Sequence, residues 1–300
     1  MNDRSNAVLW QSGAATLLGI PAGGNYSWAG SICNGVIVGG WGNSVSGPSS
    51  RAFVWQDGVM VDLDLPLGPN TGAYDINKAG IITGWMGQSL VIDSHAYLWT
   101  DGKVVDLGVI PEGFTALGRA INDLDPPQVI GQGQIAQDGF PLGIARAILW
   151  DNGQATNLGT LEGYAHSAAF DVNDATEIVG RAFSPSETAF IWRNGLMQDL
   201  NDLLLDPPGL IYLGLPRAIN NRGEILCSAS DAKGDGVAVV LVPATIAFAD
   251  LTCDGLVHLD DFAALLGAWG PCKPGPCMAD LDDDGSIGIV DLLLLLAHWG

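Results

Sequence analysis

HAYLWTDGKVVDLG, residues 95–108, is the stretch of sequence that decides the fold. It opens with a short apolar strand that ends at Trp99, turns at Asp101-Gly102, and resumes as a second apolar strand that ends at Asp106. Asp-Gly adopts positive φ at little cost, and this favours the tight two-residue turn of a β-hairpin. The stretch therefore predicts two antiparallel strands joined by a short turn.

The same hairpin occurs five times along the chain. Its first strand runs from an alanine to a tryptophan at residues 7–10, 52–55, 96–99, 147–150 and 189–192. Two more strands follow each hairpin; the first usually ends in an Ile-Asn or Val-Asn pair such as Ile76-Asn77, and the second runs towards glycine. Four short strands in about 45 residues are typical of one blade of a β-propeller.

These units predict a mainly β fold, a β-propeller of about five four-stranded blades. One surplus strand, at 237–242, is expected to close the ring by pairing near residues 7–10. A solenoid of β units is the structural alternative. We interpret the repeated tryptophans as core between blades. The aspartates that recur after the second strands, such as Asp62, Asp106 and Asp199, are interpreted as structural hydrogen-bond acceptors.

The repeat also carries a family resemblance. Its clearest copies are Arg51-Ala52-Phe53-Val54-Trp55 and His95-Ala96-Tyr97-Leu98-Trp99, and its later parts are seen in Gly159-Thr160-Leu161 and Ala218-Ile219-Asn220-Asn221. This pattern resembles the HAF family of extracellular repeats over residues 7 to about 242. The resemblance implies an extracellular location and no established chemistry.

Two acidic loops, 30 residues apart, follow the repeats. Oxygen donors recur at loop positions 1, 3, 5, 7 and 12: Asp250, Thr252, Asp254, Leu256 and Asp261 in the first loop, and Asp280, Asp282, Asp284, Ser286 and Asp291 in the second. Leu256 and Ser286 would each contribute a main-chain carbonyl. Calcium takes six to eight oxygen ligands, and glycine at position 6 allows the sharp turn of such a loop. The spacing predicts two bound Ca²⁺ ions.

Each loop leads into a short apolar helix, and this duplicated loop–helix plan resembles a dockerin over residues 250–300. It is similar to the type I modules at the C-termini of planctomycete-type secreted proteins. The resemblance implies calcium-dependent binding of a cohesin-like or cell-surface protein through the helices and loop positions 10 and 11. Those positions hold Leu259-Asp260 and Ile289-Val290, not the polar pair of many cellulosomal dockerins, so a typical cohesin is not implied.

Charge and hydropathy limit the partners. The net charge is −21, from 33 acidic and 12 basic side chains, so no basic face is available for nucleic acid. No stretch reaches the ~18 apolar residues that a membrane span needs.

Residues 1–6 are polar and show no signal peptide, so we expect a truncated N-terminus. Cys272 and Cys277 flank a sharp turn and form a candidate disulfide, with Cys253 as the alternative partner.

No pattern points to catalysis, because the four histidines form no metal-binding pair and no nucleophile elbow is present. We expect a propeller at 1–243, a linker at 244–249 and a calcium module at 250–300. The favoured function is a secreted, non-enzymatic propeller that binds an unknown glycan or protein and is attached through its tail. The alternative is a subunit of polysaccharide-degrading machinery with glycoside hydrolase activity, which would need two acidic residues facing each other across the propeller mouth.

Overall fold

The computed structural model describes residues 5–43, 49–89, 92–137, 140–205, 210–231, 233–243, 249, 251, 257–272, 277, 279–282 and 284–299. The chain divides into two compact units, Met1–Val242 and Pro243–Gly300. The regular structure of the first unit is mainly β-strand, and the second unit contains both α-helices of the described residues. Neither helix is long or apolar enough to cross a membrane.

The first unit contains 21 strands. In chain order they are β1 (Val8–Gln11), β2 (Ala14–Leu17), β3 (Tyr26–Cys33), β4 (Val36–Asn43), β5 (Ser49–Gln56), β6 (Val59–Asp62), β7 (Asn70–Ile76), β8 (Ile82–Ser89), β9 (Ile92–Thr100), β10 (Lys103–Gly108), β11 (Gly113–Ile121), β12 (Val129–Gln137), β13 (Phe140–Asp151), β14 (Gln154–Asn157), β15 (His166–Val172), β16 (Ile178–Phe183), β17 (Glu187–Arg193), β18 (Leu196–Asp199), β19 (Leu210–Ile219), β20 (Ile225–Asp231) and β21 (Gly236–Leu241). A short 3-10 turn at Asn201–Leu203 follows β18.

These strands form a five-bladed β-propeller arrangement, as the repeat predicts. Blades one to four are the antiparallel four-stranded sheets β3–β6, β7–β10, β11–β14 and β15–β18, and blade five is the sheet β19–β21. The first strands of successive blades contact one another, which makes them the inner strands of the propeller. The hairpin β1–β2 precedes the first blade as a separate two-stranded sheet.

The predicted hairpin turns explain why the outer strands pair as they do. The first turn residue has φ near +50° in all five copies, at Ser12, Asp57, Asp101, Asn152 and Asn194, and the glycine that follows has φ between +76° and +86°. Two consecutive positive φ values define the type I′ turn, whose twist matches that of the flanking strands. The sequence of the turn therefore fixes the register of each outer hairpin.

The prediction that the strand at 237–242 closes the ring by pairing near residues 7–10 is wrong. β21 pairs with β20, and β1 pairs with β2; within the described residues these two strands do not pair with each other. The reason lies in the repeat, because β21 and β1 both occupy the position of the third strand in a blade. Each therefore needs a second strand as its neighbour, and β21 already has one in β20.

The repeated tryptophans pack into or against the core in the complete blades but not in the first hairpin. Trp99 and Trp192 are half-buried against the core clusters of their blades. Trp150 is 1% exposed and Trp55 is 8% exposed, whereas Trp10 in β1 is 70% exposed. Trp10 belongs to a hairpin that has no inner strands beside it, so its ring lacks the sheet that covers the other rings. The prediction that a repeated tryptophan ring belongs to the core therefore holds only where a complete blade surrounds the residue.

The conserved-looking Ile-Asn step of the repeat has a physical role between blades. The Asn77 amide donates to the carbonyl of Asn122 (3.0 Å), Asn122 donates to Asn173 (3.3 Å), and Asn173 donates to Asn220 (3.1 Å). The amide oxygen of each of these asparagines accepts from N–H groups of its own turn. Each asparagine therefore closes its own turn, and the first three also bind the next blade.

The second unit is a pair of short helices over a small core. α1 (Leu259–Gly267) and α2 (Ile289–Ala297) contact each other, and two short strands, β22 (Gly270–Pro271) and β23 (Ser286–Ile287), pair beside them. The core residues share small to medium size and are Ala249, Val257, Leu265, Ala279, Ile287 and Leu295. Cys272 and Cys277 form the disulfide, as one of the two predicted pairings has it.

Candidate functional site

The second acidic loop brings three of its predicted ligands together. One carboxylate oxygen from each of Asp280, Asp282 and Asp284 lies within 4.8 Å of the others. Oxygens that each lie about 2.4 Å from one calcium ion are at most about 4.8 Å apart. The three carboxylates therefore fit around a single ion of this size.

Backbone N–H groups hold these carboxylates in place. The N–H of Asp284 donates to Asp280 Oδ1 (3.1 Å), and the N–H of Gly285 donates to Asp280 Oδ2 (2.9 Å). The N–H of Ser286 donates to Asp284 Oδ1 (2.8 Å). Gly285 has φ +87°, a conformation that favours glycine and that the sequence assigned to loop position 6. The chain is thus turned inward around the three carboxylates.

Asp291, at loop position 12, is buried beneath the loop. Its Oδ1 accepts from the N–H of Leu281 (2.6 Å), and its Oδ2 accepts from the N–H of Gly288 (2.6 Å) at the start of α2. Burial pushes the pKa of Asp291 upward, but the donating N–H groups outweigh burial and hold this pKa below its ordinary value. Asp291 is therefore an ionised carboxylate that joins the loop to its helix.

The first loop shows the same helix start. Asp261 is fully buried, and its Oδ2 accepts from the N–H of His258 (2.8 Å), as Asp291 accepts from Gly288. The other four predicted ligands of this loop, Asp250, Thr252, Asp254 and Leu256, lie outside the described residues. Asp261 is therefore the one predicted ligand of the first loop that can be compared, within the described residues, with its counterpart Asp291 in the second loop.

The acidic loop has little positive charge near it in the sequence. Lys273 is the one Lys or Arg among residues 243–300. Burial raises the pKa of Asp282, and the negative charges of Asp284, Asp291 and Asp280 raise it further. Cys272 and Cys277 lie close to Asp280, but their sulfurs are joined in the disulfide and are not thiolates. The donor set is therefore all oxygen, which suits a hard cation such as Ca²⁺ or Mg²⁺.

The two helices carry exposed apolar side chains at matching positions. Leu259 is 69% exposed and Ile289 is 60% exposed at loop position 10. Further along the helices the exposed pairs are Leu266 with Leu296 and Trp269 with Trp299. On these helices the small core of the unit is filled by Leu265 and Leu295, which are fully buried. The remaining apolar side chains form a surface in both halves, and such surfaces mark interaction sites.

The repeated aspartates of the propeller have structural partners. Asp62 accepts from the Arg51 guanidinium, His95 Nδ1 lies 2.9 Å from Asp106 Oδ2, and the Thr188 hydroxyl donates to Asp199 Oδ2 (2.9 Å). Each pair joins the third strand of a blade to the end of its fourth strand. These contacts agree with the structural interpretation of the three aspartates.

Two inner-strand carboxylates also join blades. Asp75 accepts from the N–H groups of Ile76 and Ile121, and Asp171 accepts from those of Val172 and Ile219. Both oxygens of each carboxylate are therefore bound to backbone. Burial raises the pKa of Asp171 to about 6, although the two N–H groups act in the opposite direction, and the negative charge of Asp75 adds to the rise.

Sequence reasoning missed a ring of residues on the inner strands. All five inner strands are bulged three residues before the end of their repeat motif. The bulged residues are Gly30, Tyr74, Arg119, Phe170 and Arg217. A bulge leaves one residue unpaired and redirects its side chain, and bulges are frequent next to binding sites. One signal in the sequence could have found these residues. The position three residues before the end of each Ile-Asn or Val-Asn pair varies between copies of the repeat, although the pair itself recurs.

A β-propeller followed by a small unit with a cluster of loop carboxylates is the class of protein that this fold and site define. No family model matches the chain, and no curated protein sequence matches it. Among solved structures, it is similar to a gluconolactonase from Xanthomonas campestris, with 14% identity, a TM-score of 0.41, and coverage of 69% of this chain and 72% of that one. It is also similar to an acylaminoacyl peptidase from Pyrococcus horikoshii, with 14% identity, a TM-score of 0.37 and coverage of 68% of this chain. The chain spans 32% of that peptidase, and neither likeness carries a functional conclusion.

Proposed function

We propose that this protein is a secreted, non-enzymatic binding propeller that is attached to a partner protein or cell surface through a calcium-dependent C-terminal unit. The observation that carries the proposal is the second loop, where Asp280, Asp282 and Asp284 converge above the buried Asp291. The matched start of α1 at Asp261 supports a second ion in the first loop. The unit then resembles a dockerin in its metal content as well as in its sequence.

Attachment through this unit is supported by its surface. Leu259, Ile289 and Val290 stand at loop positions 10 and 11 and are exposed. An apolar partner face of a cohesin-like or cell-surface protein would cover them, and hydrophobic contacts would supply most of the affinity. The disulfide Cys272–Cys277 supports an extracellular location, because such bonds persist mainly in oxidising compartments.

Calorimetric titration of the full chain with calcium tests the metal part of the proposal. We expect two ions per chain, and the variant Asp254→Ala with Asp284→Ala should lose high-affinity binding because each residue is the central carboxylate of its loop. Asp260→Asn is the matched control, since this exposed acidic side chain neighbours a ligand position without being one. Unchanged stoichiometry in the double variant would refute the two-site proposal.

The binding role of the propeller is tested by a screen of the full chain against glycans and secreted proteins. We expect a ligand to be retained without being altered. The alternative, a polysaccharide-degrading subunit, has one observation in its favour: Glu162 and Asp202 line a cavity of about 350 Å³ beside Tyr164. Release of reducing sugar by the wild type, and its loss in Glu162→Gln with Asp202→Asn, would favour this alternative over the binding role.

A further inference from the structure

Two arginines of the inner ring stand on either side of an aromatic residue. Arg119 and Arg217 are the bulged residues of blades three and five, and Phe170 is the bulged residue of blade four between them. The guanidinium carbon of Arg119 lies 4.5 Å from the centroid of the Phe170 ring. Arg181, on β16, lies 5.8 Å from the same centroid. Two cations therefore share one aromatic ring, and Arg217 stands on the next inner strand.

These positive charges are close enough to act on one another. Burial lowers the pKa of Arg119, Tyr74 acts in the opposite direction, and the charges of Arg181 and Arg217 lower the pKa further. Nevertheless, the side chains of Arg119 and Arg217 are open to solvent. A side chain that is both reachable by water and surrounded by protein lies in a concavity, such as the channel of a propeller.

The absence of acidic partners at this place is unexpected for so acidic a chain. Elsewhere Arg51, Arg181, Arg193 and Arg222 each pair with an Asp or Glu. Within the part of the chain that the structure describes, neither Arg119 nor Arg217 forms such a pair. In addition, the Nε atom of Arg181 is buried and has no hydrogen-bond partner among the described residues. Guanidinium groups without a carboxylate partner are suited to an oxyanion, which a guanidinium fork binds with two hydrogen bonds.

An aromatic surface continues the site on the neighbouring blades. The ring of Trp28, on blade one, lies 5.5 Å from that of Tyr74, on blade two. Two glycines leave room for Trp28, because a Cβ at Gly40 would lie 2.6 Å from its ring and a Cβ at Gly72 would lie 3.2 Å from it. Tyr74 is also the bulged inner-ring residue of blade two, and Arg119 is that of blade three, the next blade along the chain. The cationic and aromatic parts of the ring are therefore adjacent.

We propose that this inner ring binds a small carboxylate-bearing sugar, with the carboxylate held by Arg119 and Arg217 and the sugar ring lying against Trp28 and Tyr74. The inference rests on the proposed binding role of the propeller and names its ligand class. A small monoanion fits better than a long polyanion, because the net charge of −21 repels extended negative chains while the local arginines attract a single group. Aromatic faces suit the apolar side of a sugar ring.

Calorimetry of the full chain with D-glucuronate, D-glucose and inorganic phosphate tests the inference. We expect glucuronate to bind more tightly than either phosphate or glucose. Arg119→Gln and Arg217→Gln should each weaken glucuronate binding by about tenfold or more, since each removes charge-assisted hydrogen bonds. Arg119→Lys, which keeps the charge and loses the fork, should fall between wild type and Arg119→Gln. Arg193→Gln is the matched control, because Arg193 pairs with Glu177 away from the inner ring.

The outcomes separate this inference from the function on which it rests. Glucose or phosphate binding as tightly as glucuronate would overturn the inference, as would unchanged affinity in both glutamine variants that keep the thermal midpoint of the wild type. Binding of a different glycan or protein in the screen, with no response to glucuronate, would overturn the inference and leave the binding role standing. If Arg119→Gln and Arg217→Gln lose affinity for glucuronate while Arg193→Gln keeps it, both the inference and the binding role of the propeller are supported.

Discussion

The propeller and the C-terminal unit are both built from repeats, but different forces hold the repeats together. In the propeller, asparagines and aspartates of one blade bind the backbone of the next, as Asn122 binds Asn173 and Asp171 binds Ile219. In the C-terminal unit, the carboxylates of one loop converge on one another. Polar groups that hydrogen-bond to each other need no further partner. Neighbouring carboxylates repel each other, and a cation between them would remove that repulsion.

The size of the two cores sharpens this difference. Each complete blade packs on its neighbour through a cluster that includes large side chains, such as Tyr97 or Phe190. Among its described residues, the C-terminal unit buries six small to medium apolar side chains and leaves Trp269 and Trp299 exposed. A core of this size contributes little more than the chain entropy opposes. We therefore expect the propeller to fold without metal and the C-terminal unit to depend on it.

Removing calcium should have the largest effect and should be confined to one unit. With a chelator, amides of α1 and α2 should lose protection in hydrogen exchange, because binding energy and folding energy are coupled in such a unit. Saturating calcium at a thousand times its Kd would stabilise the unit by about 4 kcal/mol per site. Propeller amides should be unaffected. Deleting residues 250–300 is the companion experiment: the β signature and main thermal transition should remain, and an unfolded propeller would contradict the comparison.

Truncation of a repeated tryptophan should distinguish a full blade from the first hairpin. Trp150→Ala removes a ring that is 1% exposed and should lower the free energy of unfolding by about 3–5 kcal/mol. Trp10→Ala, at the same repeat position, removes a ring that is 70% exposed and should change it by about 0.5 kcal/mol or less. Chemical denaturation of both variants gives the two values. Equal losses would mean that Trp10 is covered in solution.

The inter-blade asparagines should matter more than exposed polar side chains on the same blade. Asn122→Ala leaves the N–H of Gln128 without its partner and removes the inter-blade donor to the carbonyl of Asn173, which keeps only the N–H of Thr176 from its own turn. We expect a cost of about 1–3 kcal/mol in the free energy of unfolding. Gln154→Ala, on an exposed edge strand of the same blade, serves as the control and should stay within about 0.5 kcal/mol. Denaturant midpoints of the two variants should therefore differ clearly; coincident midpoints would remove the inter-blade role.

The repeat motif predicted most of the propeller because its signals are local. Asp101-Gly102 determines a turn from two residues, and Ile76-Asn77 marks the end of an inner strand. Three features escaped this reasoning for physical reasons. The pairing of β21 depends on which blade position it occupies, and the exposure of Trp10 depends on missing neighbours. The ring of Arg119 and its equivalents depends on a bulge, which shifts side chains without a change in the motif around it.

In the C-terminal unit, the loop motif predicted the convergence of Asp280, Asp282 and Asp284, because alternating acids around a glycine turn can point only to the inside of the turn. It did not predict which apolar residues fill the core. A helix with five consecutive leucines, as in residues 292–296, presents apolar side chains on every face. Only the packing partner decides that Leu295 is buried while Leu293 is exposed. Periodicity carries no information where every position is apolar.

The smallest expected effect concerns Asp171, whose raised pKa makes the propeller respond to pH. The folded-state pKa is about 6, against an ordinary value of 3.8, because burial disfavours the charged form. The folded state then holds the proton more tightly than the unfolded state does. Stability from this group is therefore fully present below about pH 3.8 and is lost as pH rises from there through about 6. Asp171 is only partly buried, so solvent screens part of the effect and we expect a change on the order of 1 kcal/mol.

Asp171→Asn isolates this contribution, because the amide keeps the shape of the side chain and cannot titrate. Measured by urea denaturation at several pH values, the free energy of unfolding of the wild type minus that of Asp171→Asn should fall between pH 4 and pH 7 and stay level above it. Asp57→Asn is the matched control, since it makes the same chemical change in an exposed hairpin turn whose equivalent in the third blade is Asn152. A difference for Asp171→Asn that rises with pH would mean that the N–H groups of Val172 and Ile219 outweigh burial. The carboxylate would then strengthen the contact between blades four and five in its charged form, and the propeller would rely on fixed charge as the C-terminal unit does.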